Sequence, residues 1–155
     1  MFSNNLICNI LNYIDENINS KITIDDLEIK FYYNRFYIMK LFKKEIGISI
    51  INYINSIRIY NSILDIKNSN KNLINIAFKN GFYSIEYFSE TFKNIVGVNP
   101  KAVKDYFNKN NVSLKKVNKI NKSISELYNL KTKKEYYLFH KKPSILPVKK
   151  LSIFK

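Results

Sequence analysis

The feature that most restricts the fold of this chain is an internal repeat at an interval of 50 residues. The segments "FKKEIGIS" (42–49) and "FKNIVGVN" (92–99) share the pattern Phe-Lys-x-x-x-Gly-x-Ser/Asn. The same interval, or one residue less, relates three further pairs: Asn34 and Ser84, Ile24 and Leu73, and Leu27 and Ile76. The slip of one residue falls in a turn, where an insertion is well tolerated. The chain therefore contains two copies of one structural unit.

Few residues interrupt helices in this chain. It has three glycines and three prolines among 155 residues, and alternation with a period of two is sparse before the far C-terminus. This composition favours long helices joined by short turns. Residues able to cap helix N-termini precede the helical segments: Thr23, Asn34, Ser49, Asn72, Ser84 and Asn99. Gly47 and Gly97 stand where a left-handed residue ends a helix.

These patterns predict an all-α fold of two helix-turn-helix subdomains joined by a long connecting helix. We place the first motif at about 23–46, the connecting helix at about 50–67 and the second motif at about 72–96. An earlier helix has apolar residues at helical spacing, which line one face with Ile7, Ile10, Leu11, Ile14 and Ile18. Cys8 lies beside that face, and we expect it to be a small core residue.

The dimensions of such a pair of motifs suit DNA. A helix-turn-helix motif places its second helix in the major groove, and successive grooves on one face of the duplex lie about 34 Å apart. A helix over residues 50–67 would be about 27 Å long. Two motifs at that separation could read both grooves from a single chain. Helix pairs with these spacings also occur in plain helical bundles, so periodicity alone favours DNA binding only slightly.

Three segments and their spacing favour DNA binding over a plain helical bundle: "LFKKEIGIS" (41–49), "YINSIRI" (53–59) and "INIAFKNGFYSIEYFSETFKNIVGVNP" (74–100). Over about residues 5–107 the chain resembles the DNA-binding region of AraC/XylS-type bacterial transcription regulators. The resemblance implies a DNA-binding domain at 1–107 that reads two adjacent major-groove segments of double-stranded DNA. It further implies a transcription activator that contacts RNA polymerase, and the two motifs in one chain allow binding to DNA as a monomer.

The resemblance also assigns residues by position. In the first motif it implies base contacts by Arg35, Phe36, Met39 and Lys40, with Tyr37 and Lys43 near phosphates. In the second it implies base contacts by Ile85, Glu86, Ser89 and Glu90, with Lys93 on the DNA backbone. Arg35 is able to bind guanine bidentately, and Phe36 and Met39 to pack against thymine methyl groups. The alternative for Phe36 and Met39 is a place in the core, which their spacing relative to Ile38, Leu41 and Phe42 disfavours.

The chain departs from the family pattern at several of these positions. Glu86 and Glu90 would repel phosphate, so we expect the second motif to bind more weakly than the first. The family often has a basic or amide residue in place of Glu90. It favours glycine at the first turn, where this chain has Phe31 and Tyr32, and alanine in place of Glu28.

Residues 108–155 lie beyond the resemblance and form a basic tail. They contain 13 basic and 2 acidic residues, against 13 and 10 in residues 1–107. We predict a helix at 112–130, with Val117, Ile120, Ile124 and Leu127 on one face, and short strands at 135–140 and 148–154. The net charge of +14 suits nucleic acid, but 24 of the 26 basic residues are lysines in a composition typical of A/T-rich codons. A second hypothesis is therefore a module that binds proteins or anionic surfaces through this tail.

Catalysis and metal binding find little support in the sequence. One cysteine, Cys8, and one histidine, His140, do not supply the usual ligands of a metal site. Three isolated glycines form no phosphate-binding loop. We expect no enzyme activity, cofactor or metal. The N-terminus lacks the positive head of a signal peptide, and no apolar run approaches the roughly 20 residues that cross a bilayer. We expect a cytoplasmic protein associated with the nucleoid and not with membranes.

Overall fold

The structure, a computed structural model, describes the backbone of residues 2–140 and the side chains of residues 5–135. Every regular element in this part of the chain is a helix, so the predicted all-α fold is confirmed for it. The helices are α1 (Phe2–Glu16), α2 (Ile24–Phe31), α3 (Arg35–Ile46), α4 (Ile50–Asn68), α5 (Leu73–Lys79), α6 (Ile85–Val96), α7 (Pro100–Phe107) and α8 (Leu114–His140). We refer to α3 and α6, the second helices of the two motifs, as the recognition helices.

Local hydrogen bonds explain where the helices begin and end. Thr23 and Asp26 form a capping box at α2, in which the Asp26 N–H donates to Thr23 Oγ1 over 3.2 Å and the Thr23 N–H donates to Asp26 Oδ2 over 2.8 Å. The predicted caps of the next five helices also accept from backbone N–H groups: Asn34, Ser49, Asn72, Ser84 and Asn99. Both recognition helices end at a left-handed glycine, Gly47 and Gly97. The repeat is therefore a repeat of helix ends.

The turn of the first motif has Phe31 and Tyr32 where the family favours glycine. Tyr32 ends α2 in the left-handed conformation, with φ 60° and ψ 32°, at the turn where the family favours glycine. This backbone conformation costs a non-glycine residue roughly 1–2 kcal/mol. The Tyr32 side chain is exposed and recovers little of that cost by packing. The first motif keeps its geometry because both of its helices are capped and each buries apolar side chains in the first core.

Two hydrophobic cores lie one behind the other along α4. The first is formed by α1, α2, α3 and the first half of α4, and the second by the rest of α4 with α5, α6, α7 and α8. Tyr53 and Ile57 belong to the first core, whereas Ile59 and Ile63 belong to the second. Because one continuous helix is buried at both ends, the two motifs share a rigid axis.

Arg58 joins the two halves near the middle of α4. Its side chain is 8% exposed, and Nε donates to the Ile18 carbonyl over 2.9 Å while Nη2 donates to the Ser20 carbonyl over 2.6 Å. The turn after α5 packs against the same place. A Cβ on Gly81, whose φ is 82°, would lie 2.7 Å from the Ile18 oxygen and 2.8 Å from Arg58 Nε. The loop after α1 therefore touches the second motif through Arg58.

The C-terminal segment differs from the prediction. One helix, α8, runs over 27 residues from Leu114 to His140, so the strand predicted at 135–140 is wrong. The reason is that no glycine or proline interrupts the chain between Leu114 and Pro143, and extending a docked helix is far easier than nucleating a new element. Ile120, Ile124 and Leu127 are buried in the second core, as the predicted helix face requires. The strand predicted at 148–154 lies outside the described residues.

Helix α8 contacts both cores and caps both recognition helices. Ser123 Oγ donates to the carbonyl of Val96, the last residue of α6, over 3.0 Å. Lys133 Nζ donates to the carbonyl of Ile46, the last residue of α3, over 2.6 Å. Val96 and Ile46 occupy equivalent positions in the repeat. Further contacts of α8 are an ion pair of Lys134 with Asp15 on α1 and the placement of Lys131 Nζ 5.1 Å from the Tyr60 ring centre.

No helix within the described residues has the length and hydropathy needed to span a bilayer.

Candidate nucleic-acid interface

The first recognition helix presents apolar and basic side chains on its outer face. Phe36 is 72% exposed and Met39 is 43% exposed, so the alternative that places them in the core is excluded. Ile38, Leu41 and Phe42 fill the opposite face and anchor the helix in the first core. The side chains of Tyr37, Lys40 and Lys43 are exposed as well. Large exposed apolar groups between cations are unusual on a surface that meets only water, and they are suited to a groove.

Arg35 begins α3, and its guanidinium is bound to two carboxylates of α2. Arg35 Nη2 lies 2.9 Å from Asp25 Oδ1 and 3.1 Å from Glu28 Oε2, and Arg35 Nε donates to the same Glu28 oxygen over 3.1 Å. The Arg35 backbone N–H donates to Glu28 Oε1 over 3.1 Å. Glu28 was identified from the sequence as a departure from the family pattern, but its pairing with Arg35 was not predicted. A guanine contact by Arg35 therefore requires an exchange of partners.

An apolar concavity of about 400 Å³ opens beside the first recognition helix. Ile24, Phe36 and Met39 line it together with Ile50 and Ile51 at the start of α4. The side chains of Lys40, Lys43 and Ser49 complete it. Ile51, in the first turn of α4, is exposed and was not among the predicted site residues. Cations beside an apolar floor are chemically suited to a duplex, which offers phosphates and base edges to the former and thymine methyl groups to the latter.

The second recognition helix presents a more acidic face. Glu86, Glu90 and Lys93 are exposed, while Ile85 and Ser89 are half-buried. Ser84 Oγ donates to Glu86 Oε2 over 2.7 Å. Hydrogen bonds from the Ser84 hydroxyl and from the backbone N–H of Glu86 lower the pKa of this carboxyl. Glu86 is therefore ionised at neutral pH and stabilises the N-terminal turn of α6.

Two tyrosines at the start of the second recognition helix were not among the predicted site residues: Tyr83 precedes α6, and Tyr87 lies in its first turn. Tyr83 and Tyr87 are both exposed, and the Tyr87 hydroxyl accepts from Asn55 Nδ2 over 2.9 Å. This bond ties the first turn of α6 to α4. The capping pattern of Ser84 gave no sign of it, since Asn55 and Tyr87 are 32 residues apart.

The side chains that the structure describes form no group of three or more acidic, cysteine or histidine residues able to hold a metal ion. Cys8 is half-buried and packs against the first core. The predicted site residues lie on the two recognition helices.

Known proteins are similar to this chain in sequence. The family model described as a helix-turn-helix domain matches residues 29–106. The chain is 30% identical over 99 residues to the Tn10 TetD protein of Escherichia coli, covering 64% of this chain and 72% of TetD. It is 28% identical over 99 residues to the HTH-type transcriptional activator AarP of Providencia stuartii, covering 64% of this chain and 73% of AarP.

A solved structure shows the same helix arrangement. The C-terminal domain of the two-component response regulator yesN from Fusobacterium nucleatum has a TM-score of 0.59 and 27% identity, covering 61% of this chain and 93% of that domain. The family match includes both recognition helices and the whole of α4, and it ends before α8 begins. The chain therefore belongs to the AraC/XylS family of helix-turn-helix DNA-binding transcription regulators.

Proposed function

We propose that this chain binds double-stranded DNA as a monomer and reads two adjacent major-groove segments with α3 and α6. The observation that carries the proposal is the presence of two equivalent recognition helices on one frame. Helix α4 has 19 residues and is about 28 Å long, which is close to the separation of successive grooves. Because α4 is buried in both cores, the two helices approach the duplex as one body.

The resemblance to the family assigns roles to individual residues, and the exposure of most of them supports the assignment. In the first motif Arg35, Phe36, Met39 and Lys40 contact base edges, and Tyr37 and Lys43 contact phosphates. In the second Ile85, Glu86, Ser89 and Glu90 face the bases, and Lys93 contacts the backbone. The first face has three cations, whereas the second has two carboxylates and one lysine. The first motif therefore provides most of the affinity, and the second adds discrimination.

We further propose that the bound protein activates transcription by contacting RNA polymerase in the cytoplasm. The name of AarP, a transcriptional activator, supports the direction of regulation. The other hypothesis, that the basic tail binds proteins or anionic surfaces as an independent module, is not favoured because α8 packs into the second core. Transcription in vitro from a promoter that contains the selected site tests activation directly.

The decisive experiment is selection from a randomised duplex pool, followed by binding measurements on the enriched site. We expect two conserved blocks about one helical turn apart. Arg35→Ala should cost roughly 1–3 kcal/mol and relax specificity at one position, whereas Lys43→Ala should weaken binding to all sequences alike. If no sequence is enriched, the proposal is wrong. Equal losses for both variants on every sequence would remove Arg35 from the base-reading residues.

A further inference from the structure

A groove of about 320 Å³ lies where the end of α6 meets the start of α8, outside the residues assigned to DNA above except for Lys93. Four lysines line it, namely Lys93, Lys115, Lys116 and Lys119, and no carboxylate is among its lining residues. All four lysine side chains are exposed. Within the part of the chain that the structure describes, none of them forms an ion pair. The groove therefore concentrates positive charge that is not paired with any carboxylate of residues 5–135.

Packing holds Lys119 of α8 in place at this position. A Cβ on Gly97, the residue that ends α6, would lie 3.3 Å from Cδ of Lys119, so the stem of Lys119 packs on that turn. Ile120, the next residue, is fully buried in the second core, and Ser123 is hydrogen-bonded to Val96. Lys115 stands one helical turn before Lys119 on the same side of α8. These cations belong to the folded surface beside the second recognition helix.

The position of the groove relative to α6 identifies its partner. Lys93 lies on the outer face of α6, one turn beyond Glu90, and also lines the groove. Glu86 and Glu90 repel phosphate along the rest of that face. A duplex seated against α6 would pass from the two carboxylates to the four lysines at the C-terminal end of the helix. A regular row of phosphates is the anion that matches an open, multiply cationic groove.

We propose that this lysine groove binds the DNA phosphate backbone next to the segment read by α6, and so compensates for the acidic recognition face. The proposal rests on the proposed function, since it places α6 against the duplex. It adds a contact from α8, which lies outside the family match at residues 29–106. Such a contact strengthens binding to every sequence and leaves base preference unchanged.

The test compares two double variants of equal charge. Lys115→Gln/Lys119→Gln removes two cations from the groove, and Lys21→Gln/Lys131→Gln removes two lysines that line neither the groove nor a recognition face. Binding to the selected duplex is measured between about 0.05 and 0.3 M salt, a range that brackets the ionic strength of about 0.1 M at which the Debye length is about 10 Å. The groove variant should weaken binding on the order of 10-fold at about 0.1 M salt and lower the salt slope by about 2, because each phosphate contact contributes about 0.9. The control variant should change neither quantity appreciably.

A shortened duplex locates the contact. Removing the base pairs beyond the α6 segment should abolish the difference between the groove variant and the unmodified protein, and removing those beyond the α3 segment should preserve it. Thermal melting checks that both variants fold. If the unmodified protein selects a site but the two variants have the same salt slope, the groove proposal is wrong and the proposed function stands. The groove proposal would also be wrong if Lys115→Gln/Lys119→Gln lost binding of inorganic phosphate but kept the salt slope of DNA binding of the unmodified protein. Absence of any selected site would contradict the proposed function itself.

Discussion

Under the proposed function, Arg35 is the residue at which an ion pair within the protein would compete with DNA recognition. Its guanidinium is shared between Asp25 and Glu28, and all three side chains reach solvent. Exposed ion pairs of this kind contribute about 0–1 kcal/mol, whereas a bidentate contact to guanine contributes roughly 1–3 kcal/mol of discrimination. The exchange from carboxylates to a base is therefore favourable when the correct base is present. The same proposal implies that, when the correct base is absent, the two carboxylates keep Arg35 and repel nearby phosphates, which would disfavour wrong sequences.

Asp25→Asn should increase affinity for DNA, because it weakens the hold on Arg35 and removes a negative charge near the backbone. We expect a gain of up to about 1 kcal/mol, larger on poorly matched sequences than on the selected site. Fluorescence anisotropy on both kinds of duplex measures it. Glu126→Gln, an exposed acid on α8, serves as the control and should have no such effect. When Arg35→Ala is already present, Asp25→Asn should increase DNA affinity by less, because there is no arginine to release. An equally large increase would show that only the negative charge of Asp25 affects binding.

At the scale of elements, a polar contact connects α4 to α5. Asp65 of α4 accepts from Lys79 Nζ over 2.7 Å and from Asn80 Nδ2 over 2.8 Å. Burial by itself raises the pKa of Asp65, but the hydrogen bonds from Lys79 and Asn80 and the charge of Lys79 outweigh it, and the net effect lowers the pKa. The folded state therefore binds this proton less readily than the unfolded state does.

The sign of the resulting pH dependence follows from linkage. The contribution of Asp65 to stability is fully present above the unfolded pKa of about 3.9 and is lost as pH falls through the lower, folded pKa. The free energy of unfolding is measured with urea at about pH 6 and at about pH 3. It should fall less between these two pH values for Asp65→Asn than for the unmodified protein. Asp105→Asn, on α7, is the comparison variant. An identical loss of stability for all three proteins on acidification would contradict the role given to Asp65.

Helix α8 is an integral part of the fold by its contacts, although it lies outside the family match. Ile124 is 2% exposed in the second core, and truncation of such a buried side chain to alanine costs about 2–5 kcal/mol. We expect Ile124→Ala to lower the free energy of unfolding of the whole protein by this amount. Chemical denaturation followed by circular dichroism measures the loss. Glu126→Ala, on the exposed side of the same helix, should change stability by less than about 0.5 kcal/mol. A detached helix would leave both variants equally stable.

At the scale of the whole molecule, two helices fix the distance between the recognition helices. Helix α4 is buried in both cores, and α8 binds the last carbonyl of α6 through Ser123 and that of α3 through Lys133. Their spacing is therefore a property of the folded protein. A pair of motifs on a flexible linker would instead adapt to different separations of their target segments.

This rigidity predicts how binding responds to spacing in the DNA. Inserting 5 or 10 base pairs between the two conserved blocks should reduce affinity in both cases to that of the first motif alone, a loss on the order of 100-fold. The insertion of 10 base pairs returns both blocks to the same face of the duplex but should not restore binding, because the distance between the recognition helices is fixed. Substituting the central base pairs at constant length is the control. Recovery of affinity with the 10-base-pair insertion would show that the two motifs move independently.

Much of this molecule follows from short-range patterns. Thr23, Asn34 and Gly47 act within a few residues of themselves, and their caps are made by the neighbouring backbone, so the helix ends and the 50-residue repeat were predictable. The exposure of Phe36 and Met39 followed from helical periodicity. The sequence by itself thus determined an all-α fold with two recognition helices, because helix formation and capping depend on contacts one or two turns apart.

Only the tertiary structure decided the rest. The carboxylate partners of Arg35 depend on how α2 lies against α3, and the lysine groove depends on where α8 meets the turn at Gly97. Lys133 caps a residue 87 positions earlier in the chain. The strand predicted at 135–140 was wrong because these residues, although β-forming by local preference, continue a helix that is docked on the core. Contacts between distant residues depend on the packing of whole helices, which no local pattern encodes, and that packing determined the shape and charge of the surface offered to DNA.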